Sequence, residues 1–470
     1  MAKYAMFWGC QIPARLPFAE KATRLVMDQL DVPFEELEGF TCCPERELIR
    51  TADEDLWYLA AARNLALAEE RGLNLLTPCN GCYSTQKDAI YQLKLNPRLH
   101  DDVNGSLGSF DLEYRGRVQT KHLVEFFHDD LGLAAIQSRV RAPLAGMKVA
   151  VHPGCHLVRP FPAINFDDPI KPIKFDAVVE ALGAKSVAHS TKMLCCGQGF
   201  NAAEEAEHSA ALPAEKLREL KALGVKALVT CCPTCFMQYD YKQAIMRRQG
   251  EDTGVAVFYL PELMALAFGY EAEEIGLGLH RSSVEPFFRE WERARHRLSF
   301  AKEHFDLPVV ERCFNCGGCV TDCPAHRVNP AWNPNTIMGR IVSGEAEDLL
   351  ESKDIWQCID CFVCDEMCPQ RWSMRIAFET LRHLAIQRGH ATRGAKNAVD
   401  GFRKVGKLIE ATESHKAQRA KLGLPPPPRT DLDVARRLAD AAKSNHLDIP
   451  HELSSDHPSL PEDEELPVTE

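Results

Sequence analysis

The 470-residue chain lacks most of what would send it out of a cell or into a bilayer. Its opening, MAKYAMFWGC, has no basic segment followed by an apolar one, as an export signal requires. No run reaches the ~20 apolar residues of a membrane helix. Positive charge is not in excess either: the net charge of −12 argues against a nucleic-acid footprint. A glycine-rich G-x-G-x-x-G turn opening a strand–helix unit is missing, so this chain is not expected to bind NAD or FAD itself. The apolar and charged fractions, 45% and 26%, are those of an ordinary soluble globular protein, and the length suits two or three domains. The expected location is cytoplasmic.

Cysteine is what the chain has in abundance. Nineteen cysteines without an export signal are poor candidates for structural disulfides, which turns attention to metal or redox chemistry. Ten of them follow one pattern twice. Cys10, Cys42, Cys43, Cys79 and Cys82 read C-x31-CC-x35-CxxC, and Cys155, Cys195, Cys196, Cys232 and Cys235 read C-x39-CC-x35-CxxC. The surroundings repeat as well. Lys3 to Cys10 and Lys148 to Cys155 each predict a short strand ending in Gly-Cys, and Leu75 to Cys79 and Leu228 to Cys232 predict strands running into a CxxC. Apolar residues at helical spacing predict helices over 55–71 and 204–223, with further helices after each CxxC over 83–95 and 236–248. Each half closes on an apolar segment, 120–131 and 260–270, while residues 94–117 have no counterpart of equal length. The expected fold is a duplicated α/β domain with pseudo-two-fold halves, 1–145 and 146–275.

In parallel α/β folds the strand ends carry the ligands. Each half would therefore gather five thiolates where a mononuclear zinc site needs four. The vicinal pair favours a polynuclear cluster, though four ligands and one spare thiol would give the same count. Cys231 stands where the first half has Pro78 and is read as a buried bystander, the alternative being a swapped ligand.

The remaining eight cysteines form two quartets, Cys313, Cys316, Cys319, Cys323 and Cys358, Cys361, Cys364, Cys368, both C-x2-C-x2-C-x3-C followed by Pro. This is the two-cluster ferredoxin signature, in which each fourth cysteine serves the other cluster. Cys313, Cys316, Cys319 and Cys368 should hold one cubane [4Fe–4S] cluster, and Cys358, Cys361, Cys364 and Cys323 the second. Helices are expected over 336–350 and 373–388, in a mainly helical domain over 301–398 reached through a charged connector, 276–300, with a helical run near 285–298. Residues 399–470 are rich in charge and carry Leu424-Pro-Pro-Pro-Pro428 and an acidic run at 461–465, which reads as a flexible tail.

The doubled pattern resembles the cysteine-rich CCG domains of the B-type chain of heterodisulfide reductase, named for triplets such as Cys195-Cys196-Gly197. The ferredoxin module, with Trp356-Gln-Cys-Ile-Asp-Cys361, resembles the C-type chain of that enzyme. The sequence thus looks like a B–C fusion over roughly residues 1–395. The resemblance implies two noncubane [4Fe–4S] clusters, one on each set of five cysteines, beside the two cubane clusters. It also implies a disulfide or thiol small-molecule substrate and a flavin-containing A-type partner subunit. A subunit that only relays electrons within such a complex is the alternative. Pro44 departs from the CCG triplet. His152 and His156 flank Cys155 and are read first as loop histidines bonded to backbone, the alternative being tuning of a cluster or proton donation to a leaving thiolate. Lys192 and Arg159 are read as ordinary loop charges rather than as holding an anionic substrate, and no proton donor is identified.

Overall fold

The computed structural model describes residues 3–368, 372–428 and 431–444. The chain forms two units, Met1–Arg295 and His296–Glu470. In the first, three strands, β1 (Tyr4–Met6), β2 (Asn74–Thr77) and β3 (Thr120–His122), build a parallel sheet in that order. Four more, β4 (Lys148–His152), β5 (Lys185–Ser186), β6 (Ala227–Thr230) and β7 (Ala256–Tyr259), build a second parallel sheet in the order β5-β4-β6-β7. Strands β4, β6 and β7 repeat the order of β1, β2 and β3, and β5 adds an edge.

The strands are short apolar runs because both faces are covered. All four residues of β6 and of β7 are buried. Successive side chains point to opposite faces, and the sequence uses this to build three cores. Met6, Leu76, Val149, Val151, Val229 and Phe258 enter one core shared by the two halves. Ala5, Phe7 and Leu75 face a core of the first half that includes Trp57 and Leu65. Ala150, Leu228 and Val257 face a third with Leu217 and Phe236. The shared face makes the duplication one body; truncating Phe258 to Ala within it would cost about 3–5 kcal/mol.

The helix expected over 55–71 runs Glu54–Glu70, started by the Asp53 side chain accepting from the Leu56 N–H. That expected over 204–223 runs Ala206–Ala222. Those after the CxxC pairs begin earlier than periodicity suggests, at Asn80 and Pro233, so Cys79 and Cys232 are the extended residues ahead of each first turn. Residues 94–117 hold a helix, Pro97–Leu107, with no second-half equivalent. The stretch read as a connector is packed rather than free. Ile275, Leu277, Phe287 and Trp291 are buried with the shared core, and the Trp291 indole donates to the Pro143 carbonyl at 3.2 Å.

Among its described residues the second unit is helices and turns. Trp332, Ile337, Met338, Leu349, Ile355, Phe378 and Leu381 form its core. The helix expected over 336–350 is shorter, Pro334–Val342, because Gly344 turns left-handed at φ +84° and ends it. A 3-10 turn, Asp348–Glu351, follows. The segment read as a tail, 399–470, takes in the end of the helix Arg393–Val405 and the helix Glu413–Lys421, neither of which buries a residue, and the helix Leu432–Ser444. The acidic run at 461–465 lies outside the described residues.

Candidate metal centres

All ten cysteines of the repeat line one cavity of about 520 Å³ in the first unit. Parallel pairing explains the convergence, since β2 and β6 deliver a CxxC from their C-terminal ends. Cys43, Cys79, Cys82, Cys196, Cys232 and Cys235 are buried at its floor, while Cys10, Cys42 and Cys195 are exposed at its mouth. Equivalent glycines shape both halves. Gly9 sits at φ +70°, and a Cβ there would lie 2.6 Å from Cys82 Sγ. Gly154, at φ +72°, would place a Cβ 2.6 Å from Asn80 Nδ2 and 3.4 Å from Cys235 Sγ.

The vicinal pairs are built differently. In the second half Gly197 adopts φ +83°, its N–H reaches Cys195 Sγ at 3.4 Å, and a Cβ would strike the Ser209 carbonyl oxygen at 2.7 Å. Pro44 at the equivalent place has no N–H to offer. Its carbonyl accepts from Thr85 Oγ1 at 3.4 Å, and a π-helical turn, Arg46–Arg50, follows.

The halves meet at the two CxxC starts. Cys79 and Cys232 interact directly, and the contact raises the Cys79 thiol and lowers that of Cys232, for which Cys235 is the larger cause. His122, ending β3, donates from Nε2 to the Cys231 carbonyl at 3.1 Å; its Nδ1 accepts from the Val124 N–H at 3.1 Å, which fixes the tautomer. Tyr259, ending β7, donates to the Pro78 carbonyl. Each half therefore ties the residue before the other half's first CxxC cysteine.

Cys231 lies outside the cavity wall. It is buried, with Sγ 3.5 Å from Asn80 Oδ1 and 3.6 Å from the Pro153 carbonyl, and burial pushes its thiol up. Among the flanking residues His156 lines the cavity and His152 does not. Lys192 is held at 2.5 Å by Asp176 and Arg159 by the Pro169 carbonyl at 2.8 Å. Trp8, Arg46, Gln198 and Asn201 also line the cavity, and no spacing rule marked them. Arg46 pairs with the buried Asp88 at 3.1 Å.

The donor set suits a polynuclear iron–sulfur group. Hydrogen bonds from neighbouring thiols hold Cys43 and Cys195 below the usual thiol range, while Cys155, Cys82 and Cys235 are pushed up by the same contacts and by burial. Five thiolates in so small a space repel one another unless a cationic, sulfur-binding group sits among them. Among the described residues no three His, Cys, Asp or Glu side chains are clustered tightly enough for a single metal ion; the thiols are spread around the cavity wall.

In the second unit Cys313 and Cys316 end the helix Leu307–Cys316, and Cys323 precedes the helix Pro324–Val328. A smaller cavity, about 30 Å³, is lined by Cys323 together with Cys358, Cys361, Cys364 and Cys319. Burial, then the proximity of Cys319 and Cys368, pushes the Cys313 thiol up to about 12. Cys323 thus lines a cavity with three cysteines of the second quartet and with Cys319 of its own, and Cys368 lies near Cys313. Arg382 braces the second quartet, donating to the carbonyls of Ile355, at 2.8 Å, and Cys358. No described helix is long and apolar enough to cross a membrane.

Comparison with known proteins follows the same division. The cysteine-rich domain family matches residues 4–86 and 149–240, and the 4Fe-4S dicluster domain family matches residues 312–373. The B-type subunit of the ferredoxin/F420H2-dependent CoB-CoM heterodisulfide reductase of Methanosarcina acetivorans is 37% identical over 59% of this chain and 93% of its own length. The 8-methylmenaquinol:fumarate reductase membrane anchor subunit of Wolinella succinogenes is 31% identical over 58% of this chain and 95% of its own. A C-type iron-sulfur subunit of the CoB–CoM heterodisulfide reductase of Methanocaldococcus jannaschii is 29% identical over 29% of this chain and 76% of its own.

Proposed function

Because the chain belongs to the family of heterodisulfide reductase B-type subunits, with a region similar to the C-type subunits behind it, we propose that it is an iron–sulfur oxidoreductase subunit that reduces, or forms, a disulfide. Cys10, Cys42, Cys43, Cys79 and Cys82 would hold one noncubane [4Fe–4S] cluster and Cys155, Cys195, Cys196, Cys232 and Cys235 the other. The crossed quartets, Cys313, Cys316, Cys319 with Cys368 and Cys358, Cys361, Cys364 with Cys323, would hold two cubane clusters. Bound there, iron–sulfur groups supply electrons one at a time.

The observation that carries this reading is the single cavity lined by ten thiols from both halves. A disulfide takes two electrons and two protons to become two thiols, and two equivalent sites on one cavity suit a substrate with two sulfurs. The exposed side, with Cys10, Cys42 and Cys195, is where a small disulfide or thiol would enter. The buried CxxC cysteines keep water from the floor, and His122 and Tyr259 hold the two halves in register. The halves 1–145 and 146–275, the segment 276–300 and the module 301–398 are taken as the working parts, with 399–470 as a charged extension. A flavin-containing A-type partner would feed electrons through the ferredoxin module, in the cytoplasm.

A second reading has support of its own. The Wolinella relative belongs to a complex whose name specifies fumarate and a quinol, so a subunit that relays electrons without a disulfide substrate also fits the family. A reductase assay with reduced viologen and a panel of small disulfides separates the two. Oxidation of the dye that depends on disulfide and is lost in Cys196→Ala supports the first reading. A fully loaded protein that never responds to any disulfide supports the relay.

A further inference from the structure

The two halves are matched in thiols and unmatched in charge. Lys216, on the helix Ala206–Ala222, is fully buried, with its ammonium 2.9 Å from His152 Nδ1 and 2.9 Å from the Lys192 carbonyl oxygen, which accepts from it. It lies 5.8 Å from the centre of the Tyr239 ring, and the Tyr239 hydroxyl is 3.5 Å from the same His152 nitrogen. His152 is itself fully buried, and burial first and Lys216 second keep it neutral. An ammonium at Lys216 can only donate, which makes His152 Nδ1 the acceptor. Burial draws Lys216 down to about 7 even against the pull of Cys235, Cys196 and Glu219, so it is mainly the ammonium below about pH 7, the range in which its charge acts.

Among the described residues no fully buried cation of this kind backs the first half; its cavity-lining Arg46 is part-exposed and paired with Asp88 at 3.1 Å. With the CC and CxxC pairs aligned, Lys216 falls where the first half has Arg63 and Tyr239 where it has Gln86; with Cys155 aligned on Cys10, His152 falls where it has Phe7. Arg63 turns outward, donating to the Gly39 carbonyl at 2.7 Å and lying 5.9 Å from the Phe110 ring. Gln86 is buried and neutral, and its amide finds no partner among the described residues. A buried cation acts through a low dielectric and is little screened. Adding an electron to a nearby iron–sulfur site adds negative charge, which such a cation favours, and local charge is one of the terms that set these potentials.

We propose that Lys216 sets an inequality between the two halves, its buried charge making the second-half site the easier one to reduce, so that an electron entering the cavity rests first on the Cys155–Cys235 side. Lys216 is a positioning residue in this account: it touches no substrate and acts on the potential of the site in front of it. The step is a one-electron reduction with no bond made or broken in the chain, the electron coming from an external reductant such as dithionite. The inference rests on the reading that both sets of five cysteines hold clusters.

The test is a mediated redox titration of the full, anaerobically prepared chain, followed by electron paramagnetic resonance. The first-half signal is the one lost in Cys43→Ala and the second-half signal the one lost in Cys196→Ala. In both Lys216→Met and Lys216→Gln the second-half midpoint should move to more negative potential while the first-half midpoint stays put, and Lys216→Arg should move it less than either. An unmoved second-half midpoint, or an equal shift of both, overturns the proposal. So does loss of the second-half signal in both neutral variants with the other sites intact, which would make Lys216 a structural pin. If the unmodified protein shows no signal that Cys196→Ala removes, the ligand assignment itself has failed and this inference falls with it.

Discussion

The Tyr259 hydroxyl donates to the carbonyl of Pro78, the residue just ahead of Cys79 in the opposite half of the repeat. Its counterpart is the bond from His122 to the Cys231 carbonyl, so the same tie is made in both directions. Tyr259→Phe leaves a buried carbonyl without its donor and should cost about 1–3 kcal/mol. Urea unfolding of the first unit, followed by tryptophan fluorescence, reads this directly. A midpoint unchanged from the parent protein would mean that the tie does not hold the halves together.

His122 gives the matching prediction in pH. Burial is the largest influence on it and brings its pKa down to about 4, from about 6.5 when free. Between those values the unfolded chain binds a proton that the folded chain refuses, so stability falls as pH drops from about 6.5 to about 4 and is unaffected by this group above that window. The loss from this group approaches about 3 kcal/mol. In His122→Gln the slope of stability against pH across the window should shrink; an unaltered slope contradicts the assignment.

Gly9 and Gly154 should both be intolerant of a methyl group. Gly9→Ala brings a Cβ to 2.6 Å from Cys82 Sγ at a positive φ that alanine disfavours. Iron bound by the first half should drop while the second half and the ferredoxin module keep theirs. Gly154→Ala should lower iron in both halves, because its Cβ, next to Cys155, comes to 2.6 Å from Asn80 Nδ2 between Cys79 and Cys82. Iron analysis on the two variants in parallel decides it, and equal retention of iron in both would remove the steric argument.

Cys231 and Cys196 separate ligand from bystander. Cys196→Ala should abolish one noncubane signal and leave both cubane clusters reducible. Cys231→Ala should leave every cluster in place, since that thiol sits beside Asn80 and Pro153 rather than on the cavity wall. The opposite pattern would reassign the ligands.

The duplication, the parallel α/β layers and the helical C-terminal module are legible in the sequence because cysteine spacing and the apolar runs of β1, β2, β4 and β6 repeat together. Strands β3, β5 and β7 were not, β3 being three residues at the head of the apolar segment 120–131. β5 is two residues long, and β7 runs directly into the helix Leu260–Phe268, so its apolar residues merge into one run. The end of the helix at Val342 was missed because apolar residues continue past Gly344, whose left-handed turn breaks the helix. Within the site the cysteines announce themselves by pattern. Lys216, His122 and Tyr259 do not, because each meets its partner only through tertiary packing, Lys216 from its helix onto the end of β4 and the other two across the halves.

The ferredoxin module should be the point of entry for electrons. Removing residues 301–470 should release a flavin-containing partner that co-purifies from the native source, and it should abolish reduction of the first unit by that partner. Binding of the flavoprotein with unchanged affinity after truncation would mean that it docks elsewhere.

The central claim is that eighteen of the nineteen cysteines hold four clusters, two of them on the doubled CCG pattern. Iron and acid-labile sulfide analysis of anaerobically prepared full-length protein tests it most directly. The account predicts about sixteen iron atoms and about sixteen sulfides per chain. A reproducible value near about eight of each, accompanied by stoichiometric zinc, would contradict it.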